Sequence, residues 1–196
     1  YKGTGPAVLF IHSLGKNGAW LYAAQIAALK GRYRCIAPDC RGHGATSYNG
    51  GFSVPDVAAA HKAMLDSLGV EQAHVVGLSM GGPIALTFHG RWPQMVRSLV
   101  IADSFARIRN PQGVQDRVAA TRETVAYMSM REFGSQYAAD RLLPTTPIEK
   151  LDELSDEVAK CPPKAYVDTV QSIFTYDASG DLAKVKVPTL VLVGDQ

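Results

Sequence analysis

The chain has 196 residues, 46% of them hydrophobic and 19% charged, which is globular composition at a length suited to one domain. Its net charge of +2, with no clustered stripe of Lys and Arg, argues against a nucleic-acid partner, and no apolar run approaches the roughly 20 residues that span a bilayer. Cys35, Cys40 and Cys161 are odd in number and lack metal-ligand spacing, so they read as reduced thiols of a cytoplasmic protein.

In chain order, the apolar run from Ala7 to Ile11 predicts a strand buried on both faces. Residues 18–29 place apolar side chains at helical spacing and stop at Gly31, which predicts one helix. Tyr33 to Ala37 is a short strand ended by Pro38, and a loop rich in Gly, Asn and Ser follows to about Phe52. Ser53 caps a helix over 54–68, with Asp56 three residues on in the manner of a capping box, and Gly69 closes it. His74 to Gly77 is a strand, 81–91 a helix, and Val96 to Ala102 a further strand.

The alternation then breaks down. Residues 104–182 are rich in Ala, Glu, Arg and Met, and are punctuated at Pro111, Pro144, Pro147, Pro162 and Pro163. They predict three or four helices in a separate layer. Pro188 to Gly194 returns to a strand expected to be buried. Strands alternating with helices of this length predict an α/β fold, with a mostly parallel sheet and helices on both faces. The division is a first core part (1–103), a helical cap (104–182) over the sheet's carboxyl edge, and a return to the core (183–196). Both ends, at Tyr1 and Gln196, are expected to be truncated.

Gly77-Leu78-Ser79-Met80-Gly81 spells G-x-S-x-G between a predicted strand and a predicted helix. A nucleophilic serine on so sharp a turn needs glycine two residues either side, where strand and helix come together. The N–H of Met80 is then placed for an oxyanion, and the helix amino end favours negative charge there. The loop His12-Ser13-Leu14-Gly15 follows the first strand, and the Leu14 N–H is the candidate second donor.

These segments resemble the α/β-hydrolase superfamily. The resemblance rests on His12-Ser13-Leu14-Gly15, Asp39-Cys40-Arg41-Gly42-His43-Gly44, Gly77-Leu78-Ser79-Met80-Gly81-Gly82 and the run from Val187 to Asp195. Their order is the family's. The Ser-Leu-Gly wording after the first strand is similar to the 3-oxoadipate enol-lactonase group, where most other members carry Gly in place of Ser13. The resemblance implies an α/β-hydrolase fold with Ser79 as nucleophile, Leu14 and Met80 as oxyanion hole, and a carboxylic ester or lactone as substrate, cleaved through an acyl-enzyme intermediate. An enol-lactone is one such substrate. It also leaves open a cofactor-free C–C hydrolase or perhydrolase, and a binding member that has lost its triad. No metal or cofactor is implied, since acyl transfer by serine needs none and the His, Asp and Glu residues lack ligand-like spacing.

A serine needs a base, and the base an orienting acid. No histidine follows His89, and the family's chain order is Ser, acid, His. His43 precedes the nucleophile and is disfavoured as base. His12 reads as a brace for its loop, and His61, His74 and His89 as packed or solvated side chains. The acid and the His base are expected beyond Gln196, with Asp195 and Asp103 as lesser candidates for the acid.

Overall fold

The protein is described by a computed structural model, which covers residues 1–194. Ala7–Ile11 forms β1, and all five of its residues are buried. Val8 and Phe10 pack with Tyr22 and Cys35 on one side, while Ala7, Leu9 and Ile11 join the larger core on the other. Alternation across a strand covered on both faces produces that division.

The predicted helix over 18–29 is two helices, α1 (Gly18–Leu21) and α2 (Ala23–Leu29). The break falls at Tyr22, whose φ of −103° and ψ of 19° leave the helical region. Its buried hydroxyl donates to the Ile11 carbonyl at 2.9 Å and its ring packs 4.8 Å from Phe10. Burial against β1 outweighs the continuation of one helix. Arg34–Ile36 is β2. Helix α3 (Val54–Ser67) starts as expected, with the Ser53 hydroxyl accepting from the Asp56 N–H at 3.2 Å.

Ala73–Leu78 (β3) leads into α4 (Gly81–Arg91), and Val96–Ala102 is β4. Between β4 and the last strand lie α5 (Pro111–Tyr127), α6 (Met130–Ala139), α7 (Ile148–Ala159), α8 (Pro163–Thr175) and the single turn α9 (Ser179–Leu182). Pro111 and Pro163 stand in first turns, where a missing N–H costs nothing.

Thr189–Leu192 (β5) completes a five-stranded parallel sheet ordered β2-β1-β3-β4-β5. The expectation of burial does not hold for β5. Leu190 and Val191 are 52% and 63% exposed, because β5 is an edge strand that pairs only with β4 among the described residues. The chain runs from β1 outward to β2, then crosses back to β3 on β1's other side. That reversal opens a crevice at the carboxyl ends of β1 and β3, where open α/β sheets bind ligands.

Candidate active site

Ser79 stands in that crevice, between the end of β3 and the start of α4. Its φ is +53°, a left-handed conformation that L-residues other than glycine rarely adopt. Its neighbours hold it there. The Ser79 N–H donates to the Ala102 carbonyl at 2.9 Å. Its own carbonyl accepts from the Gly82 N–H at 2.9 Å and from the Ser104 hydroxyl at 2.6 Å. Strain of this kind persists only where the surroundings over-determine it.

The flanking glycines meet the steric requirement read from the motif. A Cβ on Gly77 would lie 2.3 Å from the Gly81 carbonyl oxygen, and one on Gly81 would lie 2.2 Å from the Ile11 carbonyl oxygen. Both obstacles are backbone and cannot swing aside. Gly81→Ala is therefore expected to destabilise the fold by about 3 kcal/mol, the upper part of the range for overpacking. A fall in the urea midpoint checks this; an unchanged midpoint would mean that α4 can slide from β1.

The same contact sets the β1 loop beside the elbow. His12 is fully buried, and its Nε2 accepts from the Cys40 N–H at 2.8 Å. The other ring nitrogen, Nδ1, therefore carries the proton and donates to the Ser13 carbonyl at 2.8 Å. Burial lowers the His12 pKa to about 4, against the opposing effect of the Ser13 bond, so the ring is a neutral tie between two loops. Lys16 Nζ donates to the Leu14 carbonyl at 3.2 Å and to the Tyr137 hydroxyl of α6 at 2.9 Å. Asn17 caps α1 through its side-chain oxygen and donates to Glu157 of α7. The helical insertion thus rests directly on the loop that carries Leu14. Leu14 and Met80 are buried in one apolar cluster, and among the described residues neither N–H makes a turn or loop hydrogen bond.

The remaining candidates fall away from the elbow or beside it. His43 is buried, with Nδ1 3.1 Å from the Arg41 carbonyl and Nε2 unpartnered, and burial with the nearby His12 lowers its pKa to about 3. His61 and His89 are buried, and His74 bonds to the Ser98 hydroxyl at 2.7 Å. Among the described residues no histidine hydrogen-bonds to Ser79. Asp103 lies at the end of β4 with φ of +39°, and its carboxylate accepts from the Gly194 N–H at 2.9 Å. Asp195 lies outside the described residues. Sequence reasoning missed Ser104, Lys16 and Asn17; only the apolar-to-polar change after each strand hinted at them. The cysteines are free and buried, and among the described residues no helix is long and apolar enough to cross a membrane.

Known proteins share this fold. The chain is 30% identical over 197 residues to 3-oxoadipate enol-lactonase 1 of Acinetobacter baylyi, covering 96% of this chain and 70% of that protein. A hydrolase from Pseudomonas aeruginosa PA01 superposes with a TM-score of 0.87 at 24% identity, over 98% of this chain and 74% of the other. A thermophilic esterase from Thermogutta terrifontis superposes with a TM-score of 0.85 at 26% identity, over 98% and 72%. The model of the alpha/beta hydrolase fold matches residues 6–196. With the strained serine turn, the parallel sheet and this match in agreement, the chain belongs to the alpha/beta hydrolase family.

Proposed function

We propose that the chain carries the nucleophile and oxyanion hole of a serine hydrolase acting on a carboxylic ester or lactone. Ser79 Oγ attacks the carbonyl carbon, its proton passes to a histidine base, and the carbonyl oxygen becomes an anion received by the Leu14 and Met80 N–H groups. Collapse expels the alcohol arm and leaves an acyl-enzyme, which water hydrolyses. The observation that carries this reading is the positive φ of Ser79 at a glycine-flanked junction of strand and helix, strain for which the fold alone has no need. The likeness to an enol-lactonase and an esterase supports ester or lactone as the substrate class. Residues 104–182 serve as the cap over the site, and the three buried free thiols fit a cytoplasmic setting.

The reading assigns the base and its acid to residues other than those described, since His12 and His43 are buried and engaged elsewhere, His61 and His89 are buried, and His74 bonds to Ser98. A panel of p-nitrophenyl esters and small lactones tests it. Protein extended past Gln196 is expected to turn over at least one of them. The 196 residues alone should fall short by a factor on the order of 10⁶, the loss that follows removal of such a base. Turnover that survives Ser79→Ala would sink the reading.

A further inference from the structure

Asparagine followed by glycine occurs twice in the chain, at Asn17-Gly18 and at Asn49-Gly50. The pair has a chemistry of its own, because a following residue without a Cβ lets its backbone nitrogen approach the asparagine side chain. That attack needs the glycine N–H unbonded, the side-chain amide free to turn, and a backbone with room to rotate. The fold answers these needs oppositely at the two positions. At Asn17 each is denied. The Gly18 N–H donates to Asp39 Oδ1 at 2.8 Å. Asn17 Oδ1 accepts from the Trp20 N–H at 2.8 Å, and its Nδ2 donates to Glu157. Gly18 is itself buried, and a Cβ there would meet the Ala37 carbonyl oxygen at 2.7 Å.

At Asn49 all three are met. Asn49, Gly50 and Gly51 are exposed. Gly50 and Gly51 stand at φ of +89° and +67°, with open space around the Cβ position of each. The anchors of this loop fall on either side of the pair. Tyr48 donates to the Asp168 carboxylate of α8, and Arg41 Nη1 donates to the Gly51 carbonyl at 3.2 Å. Between them, among the described residues, the Gly50 N–H makes no turn or loop hydrogen bond to the backbone. Exposed loop tips built of small residues are where a chain tolerates change of this kind.

We propose that Asn49 is a site of spontaneous covalent modification, at which the folded chain converts its own Asn49-Gly50 linkage to isoaspartate. The Gly50 backbone nitrogen attacks the Asn49 side-chain carbonyl carbon and forms a new C–N bond. The bond from that carbon to Nδ2 breaks, and Nδ2 leaves as ammonia with the proton that the Gly50 nitrogen gives up. Water then opens the five-membered imide. Cleavage at the side-chain carbonyl gives aspartate, and cleavage at the main-chain carbonyl gives isoaspartate. Nothing is oxidised or reduced. Each product carries a negative charge that asparagine lacks, and isoaspartate also lengthens the main chain by one carbon between the anchors at Tyr48 and Gly51. The chemistry needs neither Ser79 nor any substrate, so it stands apart from the hydrolase reading.

Incubating the folded 196-residue chain in mildly alkaline buffer tests it, with peptide mapping by mass spectrometry and labelling by a methyltransferase that esterifies isoaspartyl carboxylates. The amide-to-acid mass change and the methyl label are expected together on the peptide that holds Asn49. They should accumulate there about tenfold or more faster than on the Asn17 peptide, the factor that breaking a hydrogen bond to a charged group imposes. In guanidinium chloride strong enough to unfold the chain, the two rates should converge, because the protection of Asn17 is lost with the fold. Asn49→Gln, at an exposed position, should fold normally and lose the label, since its ring closes to six members far more slowly. Equal rates at the two sites in the folded chain would overturn the proposal, as would an Asn49 that reacts only when unfolded. A mass change without the methyl label would also overturn it, because the amide would then be hydrolysed directly with no ring closed. So would a label that persists at this loop in Asn49→Gln.

Discussion

In protein extended past Gln196, replacing Ser79 by glycine is expected to remove ester hydrolysis, by a factor on the order of 10⁶, and to leave the fold as stable or slightly more so. The two effects share one cause. At φ of +53° a side chain costs roughly 1–2 kcal/mol that glycine avoids. Glycine's looser unfolded chain returns roughly 0.5–1 kcal/mol of that gain. The net is a small stabilisation. Ser79→Ala keeps the strain, so it should match the parent in thermal midpoint while losing the same activity. Thermal unfolding of the three proteins, with ester turnover measured alongside, checks both halves. A glycine variant markedly less stable than the parent would mean that the serine hydroxyl is structural at this turn.

The parts of this site that could be read from the sequence are those whose cause is local. Glycine at 77 and 81 is dictated by contacts across a single turn, so five consecutive residues spell it. The apolar runs of β1 and β4 reflect neighbours on both faces, and Pro111 and Pro163 mark helix starts because proline suits a first turn. The braces were illegible because their partners are remote. Lys16 meets Tyr137 from 121 positions away, and Asn17 meets Glu157 from 140 away. Ser104 supports the Ser79 carbonyl across 25, with no pattern to announce it. Tyr22 interrupts the helix expected over 18–29 through a bond to Ile11 that helical periodicity does not encode. The exposed faces of β5 show the opposite failure, since apolar composition speaks of burial and does not say which strand stands at the edge.

Acidification from pH 7.5 to about pH 5 is expected to destabilise the chain progressively, before the carboxylates titrate. His12, His43 and His61 are buried and neutral, with pKa values lowered by burial to about 4, 3 and 4 from an ordinary 6.5. His43 is pushed further down by His12, whose ring centre is 5.2 Å away. Folded values below the unfolded one mean that the unfolded chain binds more protons throughout the interval between them. Stability is therefore complete above about pH 6.5 and declines as pH falls toward the folded values. Each histidine contributes on the order of 3 kcal/mol when the whole interval is crossed, at about 1.4 kcal/mol per pH unit. Three together rival the roughly 5–15 kcal/mol that holds a domain folded, so the loss is large by the time pH 4 is reached. Glu132, Asp168 and Asp177, whose pKa values are lowered, also lose stabilising ionisation on acidification, but only below the ordinary carboxylate range. The window between pH 6.5 and 5 belongs to the histidines. Urea unfolding at pH 7.5, 6.5 and 5.5 should show the free energy falling ever more steeply. His61→Leu should lower that slope by close to one proton's worth, because the His61 Nδ1 has no partner to lose. Equal stability at pH 5.5 and 7.5 would mean that these rings are protonated or hydrated within the fold, and the neutral tie of His12 between the Leu14 loop and Cys40 would fall with it.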